Sequence, residues 1–220
     1  MSVLPIQRTT VASLIADDMR DHLLSGAMAP GTQLGDDDLV EATGAPVGAV
    51  RAALAELERD GLVVHSLHRG LEVTPITRAE LRDIYAARRV FERAGLEAML
   101  AARPVDVTWL QAAVERMGEA SVAGDHRALV EADTAFHLAL AAAAGSSRVT
   151  RAARAALMEL RLVLPVADRS ADDLPALVAD HQHLVSIFAA GDIEKSTAAH
   201  EDHLVRGEAL ARAGIVESQL

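Results

Sequence analysis

From residue 78 to residue 213 apolar side chains recur at helical intervals, and only five short segments break the pattern. These are Arg103-Pro104, Gly124-Asp125, Gly145-Ser146-Ser147, Ser170-Ala171-Asp172 and Gly191-Asp192. Runs of this length exceed what strands use, and a 3.6-residue period gives each helix one apolar stripe. The spacing predicts six helices, over about 78–102, 106–123, 125–144, 146–168, 172–190 and 192–213. Stripes joined by short connections are buried by packing against one another, which makes an antiparallel all-α bundle. Aromatic residues are only 2% of the chain while Ala, Leu and Val dominate, a composition that favours helix over strand. Thr77-Arg78-Ala79-Glu80 has the order of a capping box at the first of these helices, with Pro75-Ile76-Thr77 as the linker before it.

The residues ahead of that linker are patterned differently. A helix is expected from about Thr9, whose hydroxyl can cap, to Leu24, ended by Ser25-Gly26. After a turn at Ala29-Pro30-Gly31, a short helix runs from Asp36 to about Ala42, its three aspartates matched to the positive end of the helix dipole. Thr43-Gly44-Ala45 is a three-residue turn, and Pro46 opens a third helix that continues through Asp60 to a stop at Gly61. Leu62-Val63-Val64-His65 and Leu71-Glu72-Val73-Thr74 read as two strands around Ser66-Leu67-His68-Arg69-Gly70. Helix, helix-turn-helix, then hairpin is the order of a winged helix-turn-helix. The chain is therefore expected to be mainly α, with a winged helix-turn-helix DNA-binding domain over residues 1–76 and an antiparallel all-α bundle over residues 77–220.

Charge and composition narrow the chemistry. The formal net charge is −11, and residues 1–75 carry five arginines against eleven carboxylates. A broad positive footprint is excluded, so DNA contact must come from a few placed arginines. Cysteine is absent, which leaves His and carboxylate as the only metal-holding side chains. Met1-Ser2-Val3-Leu4-Pro5-Ile6-Gln7-Arg8 has no secretory pattern, and no stretch reaches the ~18 uninterrupted apolar residues of a membrane span. A soluble, cytoplasmic protein with no membrane partner is expected.

Four residues of the bundle carry the chemistry. Asp133 and His137 stand four apart in an apolar-periodic run, which puts both on one helix face. His181 and His203 lie in two later helical segments, each flanked by aliphatic residues. One carboxylate and three imidazoles form the donor set of a divalent metal ion, and Zn, Ni, Mn and Fe all accept it. His183 and His200, two and three residues from these ligands, are expected to face elsewhere. Glu131 and Asp180, close in sequence to ligands, are expected to point away from the metal. With no general base in reach, a metalloenzyme is disfavoured, although a metal-bound water would permit one.

These residues resemble a known family. Ala29-Pro30-Gly31…Leu34, Leu39…Gly44, Val50-Arg51…Ala53-Leu54…Leu57, Asp60-Gly61-Leu62-Val63 and Arg69-Gly70 resemble the DNA-binding domain of GntR-type regulators. Arg88…Phe91-Glu92, Asp133…Phe136-His137, His181, Gly191-Asp192 and His203-Leu204 resemble its FCD effector domains. The resemblance implies a ligand-responsive transcriptional regulator, a repressor, that binds a DNA operator as a homodimer. It also implies a metal held by Asp133, His137, His181 and His203, with a small carboxylate metabolite completing the shell and Arg88 as its bidentate anchor. The alternative for Arg88 is a surface ion pair with Glu92.

The reading head departs from that pattern. Where the family has a Ser-Arg-Thr-like triplet opening the recognition helix, this chain has Pro46-Val47-Gly48. Arg51 is retained one turn further on and can reach a guanine edge, and Arg69-Gly70 is retained at the wing tip for a phosphate or the minor groove. Backbone N–H groups at the start of the Pro46 helix can hold a phosphate. The alternatives to a DNA-binding regulator are a metal-dependent enzyme and a metabolite sensor with degenerate DNA binding.

Overall fold

Glycine and capping residues fix where the helices begin and end. In a computed structural model that describes residues 10–67, 70–102, 104–163 and 173–215, the described residues form nine helices and one two-stranded hairpin. The chain divides into two compact units, Met1–Pro75 and Ile76–Leu220.

In the first unit, α1 spans Val11–Leu24, α2 Asp36–Thr43 and α3 Val47–Arg59, followed by β1 Val63–Ser66 and β2 Gly70–Val73. Thr10 caps α1 by accepting the Ser13 N–H at 3.0 Å; Thr9, the expected cap, lies outside the described residues. Gly44 ends α2 in the left-handed region at φ 64°, a conformation that side-chain-bearing residues rarely adopt. That turn lets α3 pack back against both α1 and α2. Pro46 precedes α3 rather than forming its first residue: its ψ of 140° is extended, so the helix starts at Val47. Val50, Ala53 and Leu57 on α3 are buried with Ala16 and Leu23 of α1 and with Leu62, Val63 and Val73 of the hairpin. β1 and β2 pair antiparallel in the register Val63↔Val73 to Ser66↔Gly70. This is a winged helix-turn-helix.

In the second unit, α4 spans Arg78–Ala101, α5 Thr108–Ala123, α6 His126–Ala142, α7 Ser147–Arg161, α8 Asp173–Ala189 and α9 Ile193–Gly214. Thr77 and Glu80 close the capping box at the start of α4, each side chain bonded to the other's backbone N–H. The expected break at Ser170-Ala171-Asp172, and Arg103, lie outside the described residues. α4 packs on α6, α7 and α9, while α5 packs on α6 and α8. Phe136, Phe188, Leu96, Leu110, Met117, Leu129 and Leu140 fill the space between them. α4, α6, α8 and α9 each also turn a polar residue inward, and those polar residues meet.

Candidate metal centre and DNA-reading surface

His137 on α6, His181 on α8 and His203 on α9 converge, with one ring nitrogen from each lying within 4.8 Å of the other two. All three are buried. His181 shares its face of α8 with the buried Val178, Leu184 and Val185, so its imidazole enters the core with them. Phe136 stands edge-on to both His137 and His181 and walls one side of the cluster.

What each ring presents to the cluster follows from what holds its other nitrogen. His137 Nδ1 faces the Glu92 carboxylate at 2.7 Å, His203 Nδ1 faces Asp180 at 2.6 Å, and His181 Nδ1 faces the Leu177 carbonyl at 2.9 Å. All three partners are acceptors, so all three Nδ1 atoms carry a proton, and each ring in its neutral form keeps its lone pair on Nε2. Those lone pairs point at one another: His137 Nε2 and His203 Nε2 are 3.3 Å apart. His181 Nε2 lies 3.2 Å from Asp133 Oδ1, is buried, and makes no hydrogen bond. Asp133 Oδ1 is also 3.9 Å from His137 Nε2. An arrangement of acceptors facing acceptors in a dry core is unfavourable unless a cation sits among them.

The electrostatics agree. Burial pushes the Asp133 carboxyl up, but His181, His137 and Arg88 outweigh it and hold the group well below the usual carboxylate range. Burial pushes His137 down to about 4, helped by the Arg88 guanidinium and opposed by Glu92, so the ring is neutral at pH 7. Burial likewise lowers His203. Burial also works against a charge on His181, but Asp133 beside it raises that ring above its ordinary value. A proton between His181 and Asp133 competes for the place a metal ion would take. The donor set, its neutral lone pairs and the orphaned His181 Nε2 therefore fit a divalent ion.

Behind the ligands lies a second set of residues, and here the structure corrects several expectations. Arg88 and Glu92 are not a surface pair: Arg88 Nε donates to Glu92 Oε1 at 2.7 Å with both side chains at most 5% exposed. Arg88 Nη2 is buried without a hydrogen-bond partner, and the guanidinium lies 4.9 Å from the Tyr85 ring centroid. His200 does not face elsewhere; it is buried and its Nε2 lies 3.0 Å from Glu92 Oε2. Asp180 points away from the cluster's centre but lands on His203, and with Arg206 on its other oxygen its carboxyl is held at about 2. His183 and Glu131 are both exposed, as expected, with Glu131 paired to Arg127. Glu92 is the residue that spacing alone misses, because two of its three hydrogen-bond partners, His137 and His200, come from other helices.

The DNA-reading positions lie at the start of α3 and at the wing. Pro46, Val47, Gly48 and Arg51 are all exposed. Arg51 Nε donates to Asp36 on α2 at 2.7 Å, so it is engaged by an acid of its own helix-turn-helix. Arg20 is held by Asp17 and Asp60, and Arg59 by the Ala55 carbonyl. Gly70 opens β2 at φ 76°; Arg69 lies outside the described residues.

Comparison with known proteins agrees with both halves of this architecture. Residues 83–206 match the FCD domain, and residues 11–73 match the bacterial regulatory proteins of the gntR family. The probable D-xylose utilization operon transcriptional repressor of Paenarthrobacter nicotinovorans is 27% identical over 203 residues, covering 90% of this chain and 88% of that protein. A GntR transcriptional regulator from Rhodococcus sp. RHA1 superposes with a TM-score of 0.79 at 28% identity, covering 93% of this chain and 99% of the other. E. coli McbR/YncC shares the fold, with a TM-score of 0.73 at 18% identity over 94% of this chain and 99% of its own. Among the described residues no helix is long and apolar enough to cross a membrane. The chain belongs to the gntR family of bacterial regulatory proteins, in the group that carries an FCD domain, and is a DNA-binding transcriptional regulator rather than an enzyme.

Proposed function

We propose that this regulator senses a small carboxylate through one divalent metal ion held by Asp133, His137, His181 and His203, acting as a cytoplasmic homodimer that represses from a DNA operator. The observation that carries the reading is the convergence of three Nδ1-anchored imidazoles on a point where His181 Nε2 is buried without a hydrogen bond. Nitrogens bound to one ion at about 2.1 Å stand about 3 Å apart, close to what His137 and His203 already present. When bound, the ion supplies a Lewis-acid anchor for an anion. Arg88 supplies the second anchor, since its unpartnered Nη2 is an N–H donor in a buried site and a carboxylate satisfies it best.

Repression is supported by the Paenarthrobacter relative, which is named a repressor; at 27% identity its sugar is not carried over. A homodimer follows from the reading head, because one winged helix covers only a half-site. The acid acts by differential affinity: it binds one packing of the helical unit better than another and shifts the population of DNA-competent dimers.

The test is to strip the full chain with a chelator and titrate Zn²⁺, Ni²⁺, Mn²⁺ and Fe²⁺ separately. Binding to its own upstream DNA is then followed as small mono- and dicarboxylates are added. One bound ion per chain and acid-dependent release of DNA are expected, and both should vanish in His137→Ala/His181→Ala while basal DNA binding persists. Acid-dependent release that survives in that variant would remove the sensing role from these residues.

A further inference from the structure

We infer that Glu92 is the positioning residue of this centre, a single buried carboxylate that sets the tautomer of His137 and the orientation of Arg88 together. The inference rests on the metal and carboxylate reading above and deepens it. Glu92 is 1% exposed, and its two oxygens divide the work. Oε1 accepts from Arg88 Nε at 2.7 Å; Oε2 accepts from His137 Nδ1 at 2.7 Å and His200 Nε2 at 3.0 Å. An ionised carboxylate can only accept, so every nitrogen facing it must bring a proton. For His137 this places the proton on Nδ1 and leaves the Nε2 lone pair facing His181 and His203. For Arg88 it uses up Nε and fixes the guanidinium plane, so that Nη2 is the buried donor left over.

Glutamine at the same position has the same bulk and cannot do both. With its carbonyl toward Arg88, its NH₂ faces His137, and the ring must accept at Nδ1. The proton then moves to Nε2, into the place of the metal. With the amide reversed, NH₂ faces the Arg88 N–H, donor against donor, and the guanidinium is released. The requirement at residue 92 is therefore one of acceptor count rather than of volume.

The experiment uses the full chain, metal-free and labelled with ¹⁵N, and Zn²⁺ alone as the probe. Wild-type His137 is expected to show the Nδ1–H pattern of ring nitrogen shifts, and Arg88 a protected Nε–H signal. In Glu92→Gln the His137 pattern should change to Nε2–H or the Arg88 signal should be lost. Zn²⁺ affinity, measured against a chromophoric chelator, should fall about 10–100-fold with the far-UV circular dichroism unchanged. An Nε2–H pattern in the wild type overturns the inference, and that measurement stands even if the variant does not fold. So does a folded variant with unaltered ring shifts, Arg88 signal and Zn²⁺ affinity. If the wild type binds Zn²⁺ no better than His137→Ala/His181→Ala, it is the metal reading that fails, while the ring shifts still report on Glu92.

Discussion

Gly95 governs the geometry of the centre without touching it. A Cβ at this position would lie 1.7 Å from the Leu140 carbonyl oxygen and 2.7 Å from its carbon, so α4 and α6 approach backbone to backbone here. Gly95 is three residues beyond Glu92, and Leu140 three beyond His137. The same close crossing thus brings the Glu92 carboxylate to 2.7 Å from the His137 ring one turn away. Gly95→Ala must push the two helices apart, and overpacking of this kind costs about 1–3 kcal/mol or more. Thermal denaturation should show a lowered Tm, and Zn²⁺ titration a weakened site; an unchanged Tm would mean that the helices can separate here freely. The partition between what was legible in the sequence and what was not follows distance along the chain. Asp133 and His137 declare themselves by a four-residue spacing on one helix. Arg88 and Glu92 share that spacing, but nothing local distinguishes a buried pair from an exposed one. His200 is buried behind the ligands, while Asp180 turns away from the cluster's centre. What they meet there, Glu92 and His203, belongs to other helices, and single-helix rules are silent about it.

At the scale of the element, helices were more legible than their surroundings. Caps and left-handed glycines act locally, so the Thr77 capping box and the Gly44 and Gly124 stops appear where the sequence puts them. Pro46 was misplaced by one residue because its fixed φ suits both the first turn and the position just before it. Packing between elements is not local, and α7 against α4 is an example. Glu159 on α7 is half-buried there, and burial first, then the charges of Glu80 and Asp83 on α4, raise its carboxyl above the usual value. A carboxyl whose folded pKa is raised binds its proton more tightly in the folded state, so its ionised form destabilises the fold. That penalty is present above the folded pKa and disappears as pH falls below the ordinary value near 4.5. Glu159→Gln should therefore unfold at higher denaturant concentration than the wild type at pH 7. The two midpoints should converge toward pH 4. A gap that persists at pH 4 would assign the effect to packing and not to charge.

Charge is the property of the whole molecule that bears most on function. A chain with net charge −11, six of those charges over residues 1–75, is repelled by DNA at long range. Binding must be short-range, and the described arginines of the first unit are all engaged by partners of their own. For Arg51 that engagement is no obstacle. Its ion pair with Asp36 has side chains 69% and 35% exposed, and water and salt screen such surface pairs, so Arg51 can leave Asp36 for a base edge at little cost. With Val47 and Gly48 offering only backbone N–H groups and Pro46 none, few phosphates are neutralised, and the dependence of affinity on salt should be shallow. Two substitutions separate the roles, read by fluorescence anisotropy on upstream and random DNA over a salt series. Arg51→Ala should lose about 1–3 kcal/mol of discrimination between the two DNAs. Asp36→Asn, which removes a negative charge and leaves only a neutral, weaker acceptor for Arg51, should tighten binding to both. If Arg51→Ala still discriminates, bases are read elsewhere on the unit. If the wild type itself treats both DNAs alike, the altered start of α3 has lost sequence reading for that site, and the helical unit is left as a sensor whose operator lies at another locus.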